Sequence, residues 1–154
     1  MADIGAALAL HVLGVVWWLG GVAFVSTVVL PHLRRDPANA MAGFHNFEQR
    51  FAPQARIAVL LVGLSGGWLL WRTQLWRVLD QPQFGWLAAM ILYWALFFLM
   101  LFVLGPSGLL RRVMSGSTER SAEARLLRMQ RMHLLLLFIG LAIVAWAVAA
   151  RHGL

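Results

Sequence analysis

The sequence predicts an all-α integral membrane protein: a bundle of four transmembrane helices with the N- and C-termini on the outer side. Three observations carry this. First, 61% of the 154 residues are hydrophobic, against roughly 45–50% in a soluble domain. Second, the apolar residues gather into four continuous runs, 4–30, 53–72, 84–104 and 132–150. Each reaches or approaches the ~20 residues a helix needs to cross ~30 Å of hydrocarbon. Third, the runs do not alternate apolar with polar, which excludes a closed β-barrel. Little chain remains for a soluble domain, so 1–154 reads as one membrane unit.

The first run opens after Met1-Ala2-Asp3. This start lacks a basic segment, and the run is too long for a cleaved leader. It is expected to stay and act as its own insertion signal. Pro31 is expected to end the helix, with His32 at the inner interface. Residues 34–40 are polar and turn-rich. Residues 40–51 then read as a short amphipathic helix lying along the inner membrane surface, because Met41, Phe44, Phe47 and Phe51 recur at helical spacing. Pro53 fits the first turn of the second spanning helix. Gly63 and Gly67 form a GxxxG pair there, with Ser65 and Gly66 adding small surface for close helix approach.

The outer connection, 73–83, is short, and Trp68, Trp71, Trp76 and Trp86 cluster around it as interfacial anchors. Gly105-Pro106 closes the third helix. A turn at 115–118 supplies an N-cap, and the basic stretch 119–131 leads into the fourth helix.

Charge sets the orientation. All 13 basic residues are arginine, and the net charge is +7. Arg34, Arg35, Arg50, Arg56, Arg111, Arg112, Arg120, Arg125, Arg128 and Arg131 fall in or beside connections one and three. Arg72, Arg77 and Arg151 fall on the other side. The positive-inside rule therefore places the first and third connections in the cytoplasm of a multi-pass bacterial inner-membrane protein. Anionic headgroups account for the basic excess, and no nucleic-acid partner is called for. There is no cysteine, which excludes disulfides, thiolate metal sites, Fe–S clusters and covalently attached haem.

His11 is the clearest functional candidate. It lies about seven positions inside the first run, and an ionisable residue in hydrocarbon is a functional hypothesis by default. Gly14, Trp18 and Gly21 share its helical face. A histidine beside small residues offers an imidazole and room for something flat and wide, so a porphyrin is the candidate ligand. The same histidine can instead hydrogen-bond a neighbouring helix. Haem iron takes a second axial ligand at the same depth. The third run offers Met90 there, with Tyr93 one turn on. Met90 as core filler is the plainer reading.

His32, His45 and His133 map to the inner side, where they could meet on a metal, a second haem or a quinone headgroup. Met129 and Met132 flank His133, and thioethers suit copper(I). Histidines also commonly decorate the headgroup region. Glu48 and Arg50 could hold propionates or simply face solvent. No carboxylate lies inside a spanning run, which argues against a proton pump or cation channel. No phosphate-binding glycine loop, HExxH or nucleophile–base motif occurs.

The stretch LHVLGVVWWLGGVAFVSTVVLPH, 10–32, resembles the first helix of the HemJ/CopD-like membrane proteins. His11, Gly14, Trp18, Gly21 and His32 stand at the positions of that pattern. FEQRF, 47–51, is similar to the segment before the second helix there, and four helices in about 150 residues match as well. The resemblance implies the four-helix fold, haem b and a redox or electron-transfer role. HemJ-type proteins are protoporphyrinogen IX oxidases, and CopD-like ones are linked to copper resistance.

This chain departs from the HemJ pattern at two places. Met90 stands where HemJ-type proteins carry a lysine, and Thr27 replaces an arginine. The expectation is therefore an inner-membrane b-type haem protein with His11 and Met90 as axial ligands. Whether it is an enzyme stays open, since Met90 cannot do a lysine's proton chemistry. Copper handling, with His45 and His133 as ligands, is the alternative cofactor reading. An accessory subunit of a larger complex is the third. A quinone or redox protein as partner, and a homodimer, fit the first.

Overall fold

A computed structural model describes residues 2–35, 39–105 and 119–151. They form an up-down-up-down bundle of four helices, each long and apolar enough to cross a membrane. Helix α1 spans Ala2–Leu33, α2 spans Ala40–Arg72, α3 covers Gly85–Leu99 and continues through Met100–Leu104, and α4 spans Glu119–Arg151. At one end Asp3 pairs with Arg72 at 3.5 Å and Gly85 packs on Trp146. At the other, Arg34 meets Gln130 and Arg56 meets Leu101. The protein is thus a multi-pass, all-α membrane protein. Leu13, Leu64, Leu92, Phe138 and many other large apolar side chains face outward, as helices bathed in lipid require.

Two layers of core hold the bundle. The central one joins Trp18, Leu19 and Val22 of α1 to Ala58, Val59 and Val62 of α2, Tyr93 and Phe97 of α3, and Leu137 of α4. Trp18 meets Phe97 edge-on with ring centroids 4.9 Å apart. The inner layer packs Val25 and Leu30 on Leu126 and Met129, with Phe44, Phe47 and Phe51 against them. Without a hydrophobic force between helices in lipid, such contact packing and interhelical hydrogen bonds hold them together. Tyr93 donates to Leu136 O at 2.8 Å, and Trp94 Nε1 donates to Val59 O at 2.9 Å.

Pro31 does not act as the stop the sequence suggests. Helix α1 runs past Pro31 to Leu33 by widening into a π-turn at Val25–Val29. Leu30 N–H reaches back to Val25 O. The next carbonyl, Ser26 O, would need an N–H from residue 31, which a proline lacks. Gln130 Nε2 of α4 donates to it instead, at 3.2 Å.

The same device recurs in α3. Gly105 N–H bonds Met100 O at 2.9 Å. Residue 106 is again proline, and Arg56 Nε of α2 donates to the freed Leu101 O at 3.3 Å. Each π-turn thus exposes one carbonyl, and each carbonyl is answered from a neighbouring helix.

Residues 40–51 are a second correction. They do not form a separate surface helix but the first third of the 33-residue α2, and Pro53 sits inside that helix. Phe44, Phe47 and Phe51 turn their apolar face onto the inner core layer. A stripe at helical spacing is the same whether it meets lipid or another helix, so periodicity could not separate the two. The carbonyl that Pro53 leaves without a donor belongs to Gln49, an exposed residue. The side chains of Met41 and Arg120, and Arg111, Arg112, Pro106 and the 115–118 turn, lie outside the described residues.

Candidate functional site

His11 is held in the seam between α1 and α2. Its Nδ1 lies 3.1 Å from Val62 O and 3.1 Å from Ser65 Oγ. A carbonyl oxygen only accepts, so Nδ1 carries the proton and donates. Ser65 Oγ can accept that N–H as well, because its own hydrogen goes to Leu61 O at 2.6 Å. The proton on Nδ1 leaves Nε2 as a bare lone pair. Nε2 makes no hydrogen bond among the described residues. Gly66 is what admits the ring: a Cβ there would lie 2.8 Å from His11 Cε1 and 3.2 Å from Nδ1.

A metal-ligating histidine and a histidine that only clamps two helices share this arrangement. A ligating histidine donates its second ring N–H to a carbonyl or carboxylate, which fixes the tautomer and raises the basicity of the other nitrogen. The imidazole is half-buried, so the free nitrogen is reachable.

The rest of the predicted face behaves differently. A Cβ on Gly14 would meet Val62 Cγ2 at 2.9 Å, and one on Gly21 would meet Phe51 Cζ at 2.8 Å. Both glycines seat side chains of α2 and leave no clearance for a flat ring. Trp18 is buried against Tyr93 and Phe97. Any planar ligand on His11 therefore lies on the Nε2 side, away from this stripe.

Met90 shares the depth of His11. Trp94 of α3 is level with Val59 of α2, to which it is bonded. Moving outward, His11 is bonded three to six residues beyond Val59, and Met90 is four residues beyond Trp94. At 1.5 Å per residue both lie about 5–9 Å outward of that level. Met90 is half-buried. The two residues match in depth, while both hydrogen bonds of His11 go to α2.

The inner candidates do not converge. His45 pairs with Gln49 along its own helix at 2.9 Å. His133 Nδ1 donates to Met129 O at 2.8 Å. Met129 is buried, and Met132 and His32 are exposed. Among the described residues no three His, Asp or Glu side chains gather as a metal site.

Sequence reasoning missed Ser65 and Gly66 as partners of His11, and Gln130 as the partner of Ser26 O. Ser65 and Gly66 carried a signal, a hydroxyl and a bare helix surface inside an apolar run. Gln130, an amide at the start of the fourth run, carried another. The GxxxG reading also changes: Gly63 lies under the Trp94 indole and Gly66 under His11, while Gly67 faces open space. No protein-family model matches the chain, and no curated protein or solved structure does either.

Proposed function

We propose that this protein binds haem b through His11 Nε2 in the outer half of its membrane bundle and moves electrons through it. One observation carries the reading: the Nδ1–H of His11 is committed to Val62 O and Ser65 Oγ, so the other nitrogen is a fixed, unprotonated ligand. When bound, the haem would supply a one-electron iron couple. The chain's part is to hold the imidazole in one tautomer and one orientation.

Met90, at matched depth, is the proposed second ligand. His/Met ligation gives a higher potential than bis-His ligation. The resemblance of 10–32 to HemJ/CopD-like first helices supports the same reading, and Met90 in place of a lysine favours electron relay over porphyrinogen oxidation. The proposed setting is a bacterial inner membrane, and the arginine distribution supports an orientation with both termini outside. Copper handling gains no support from the inner histidines as they are placed.

His11→Ala tests the assignment. Expressed with adequate haem, the variant is expected to purify folded and colourless beside a red wild-type protein. Full haem in the variant would leave His11 as a clamp between α1 and α2 and nothing more.

A further inference from the structure

Arg56 is a charge inside the second apolar run, and a guanidinium stays protonated there. Its Nε–H is spent on Leu101 O at 3.3 Å. A guanidinium has five N–H donors, so the terminal fork is left over. No acceptor meets that fork among the described residues. Arg56 is half-buried, and its terminal nitrogens, unlike Arg34 Nε, keep accessible surface. A free arginine in a membrane helix snorkels toward water. This one is tied to α3, so an anion has to come to it.

The chain offers no counter-ion nearby among the described residues. The Asp3–Arg72 pair lies at the other end of the bundle. Residues 105–118, which follow α3, hold Arg111 and Arg112 and no acidic residue. The charge therefore calls for an anion from outside the chain.

Depth says which anion can reach it. Trp94 is level with the central core layer through its bond to Val59 O. Leu101 lies seven residues inward of Trp94, about 10 Å of helix. Half of a hydrocarbon core is about 15 Å, so the fork sits just inside the inner headgroup boundary. From there α3 carries an aromatic strip back toward the bilayer centre. Phe102, Phe98 and Trp94 follow one another with ring centroids 4.7 and 5.2 Å apart. The strip covers eight residues, about 12 Å, which is most of one leaflet. Leu60, one turn from Arg56 on the same face of α2, is 40% exposed.

We propose that the inner half of the α2–α3 groove holds one anionic phospholipid of the inner leaflet. Its phosphodiester pairs with the Arg56 fork, and one acyl chain lies along Phe102, Phe98 and Trp94. Two parallel N–H donors match the two free phosphate oxygens. A soluble phosphate fits less well, because the walls of the groove are apolar. A zwitterionic lipid would bring a cation to a surface already rich in arginine. The inference does not depend on haem at His11.

The test uses the full chain, delipidated in detergent and titrated by native mass spectrometry. The probes are phosphatidylglycerol and phosphatidylcholine with the same acyl chains. Wild type should bind one phosphatidylglycerol about tenfold more tightly than phosphatidylcholine. Arg56→Gln should bring phosphatidylglycerol down to the phosphatidylcholine level and leave phosphatidylcholine unchanged. Arg77→Gln, at the outer end, should match wild type. If Arg56→Gln does not yield monodisperse protein, Pro53→Glu takes its place. Residue 53 is exposed, a helix accepts glutamate better than proline, and a carboxylate one turn from Arg56 occupies the fork. This variant should also lose the preference. Glycerophosphoglycerol, the same headgroup without chains, should not displace the lipid even in large excess. Three results would overturn the proposal: equal affinity of wild type for the two lipids, a preference kept in Arg56→Gln or Pro53→Glu, or displacement by glycerophosphoglycerol.

Discussion

Gly66→Ala separates the two roles open to His11. The added Cβ would stand 2.8 Å from Cε1 and 3.2 Å from Nδ1 of the imidazole. Carbon pairs prefer about 3.5–4.0 Å, so the ring must back away by about 1 Å. That stretches the 3.1 Å contacts to Val62 O and Ser65 Oγ to about 4 Å, beyond hydrogen-bond range. Interhelical hydrogen bonds in membranes are worth on average about 0.6 kcal/mol, so losing two costs about 1 kcal/mol. Replacing glycine by alanine inside a helix returns about 1 kcal/mol. Net stability should therefore barely change. Haem affinity should fall, because releasing the hydrogen bond behind a ligating histidine typically costs about 10–100-fold. Haem titration of the apoprotein followed by the Soret band gives the affinity, and thermal unfolding in the same detergent gives the stability. Wild-type haem affinity in Gly66→Ala would refute the reasoning. So would a large loss of stability, which would mean that the seam clamps the helices more strongly than two such bonds allow.

Four further outcomes follow from the same contacts. Met90→His should keep the haem and lower its midpoint potential in a redox titration; an unchanged potential would remove Met90 from the iron. Gln130→Leu strands the Ser26 carbonyl and should cost about 1–3 kcal/mol in unfolding free energy. Pro31→Ala supplies the missing N–H, so the double variant should recover part of that loss, and strict additivity would contradict the π-turn account. Gly63→Ala would drive a Cβ to within 2.5–2.8 Å of the Trp94 indole, which is pinned by its bond to Val59 O; the melting temperature should drop by an amount equivalent to about 1–3 kcal/mol. The chain has no cysteine, so single cysteines report topology cleanly. One at Asp80 should react with an impermeant maleimide in intact cells, and one at Asn46 only after permeabilisation; the reverse pattern would invert the orientation.

What the sequence revealed follows from which forces are local. Four apolar runs and their order were legible because length and hydropathy act residue by residue. The helix ends were not: Pro31 and Pro53 read as boundaries, yet a π-turn answered by Gln130 carries α1 past one, and α2 runs through the other. His11 stood out because an ionisable side chain in an apolar run is conspicuous on its own. Its partners did not, since Ser65 and Gly66 come to it only through the crossing of two helices 54 residues apart in sequence. For the same reason Gly14 and Gly21 looked like clearance for a ring, when it is Val62 and Phe51 that fill it.

The central claim is that His11 Nε2 is an iron ligand. The most direct measurement is the absorption spectrum of the detergent-purified wild-type protein, oxidised and then dithionite-reduced. The account predicts a Soret band that sharpens on reduction, with narrow α and β bands of a low-spin b-type haem. A spectrum with nothing above the tryptophan absorption, from cells supplied with haem, would contradict it.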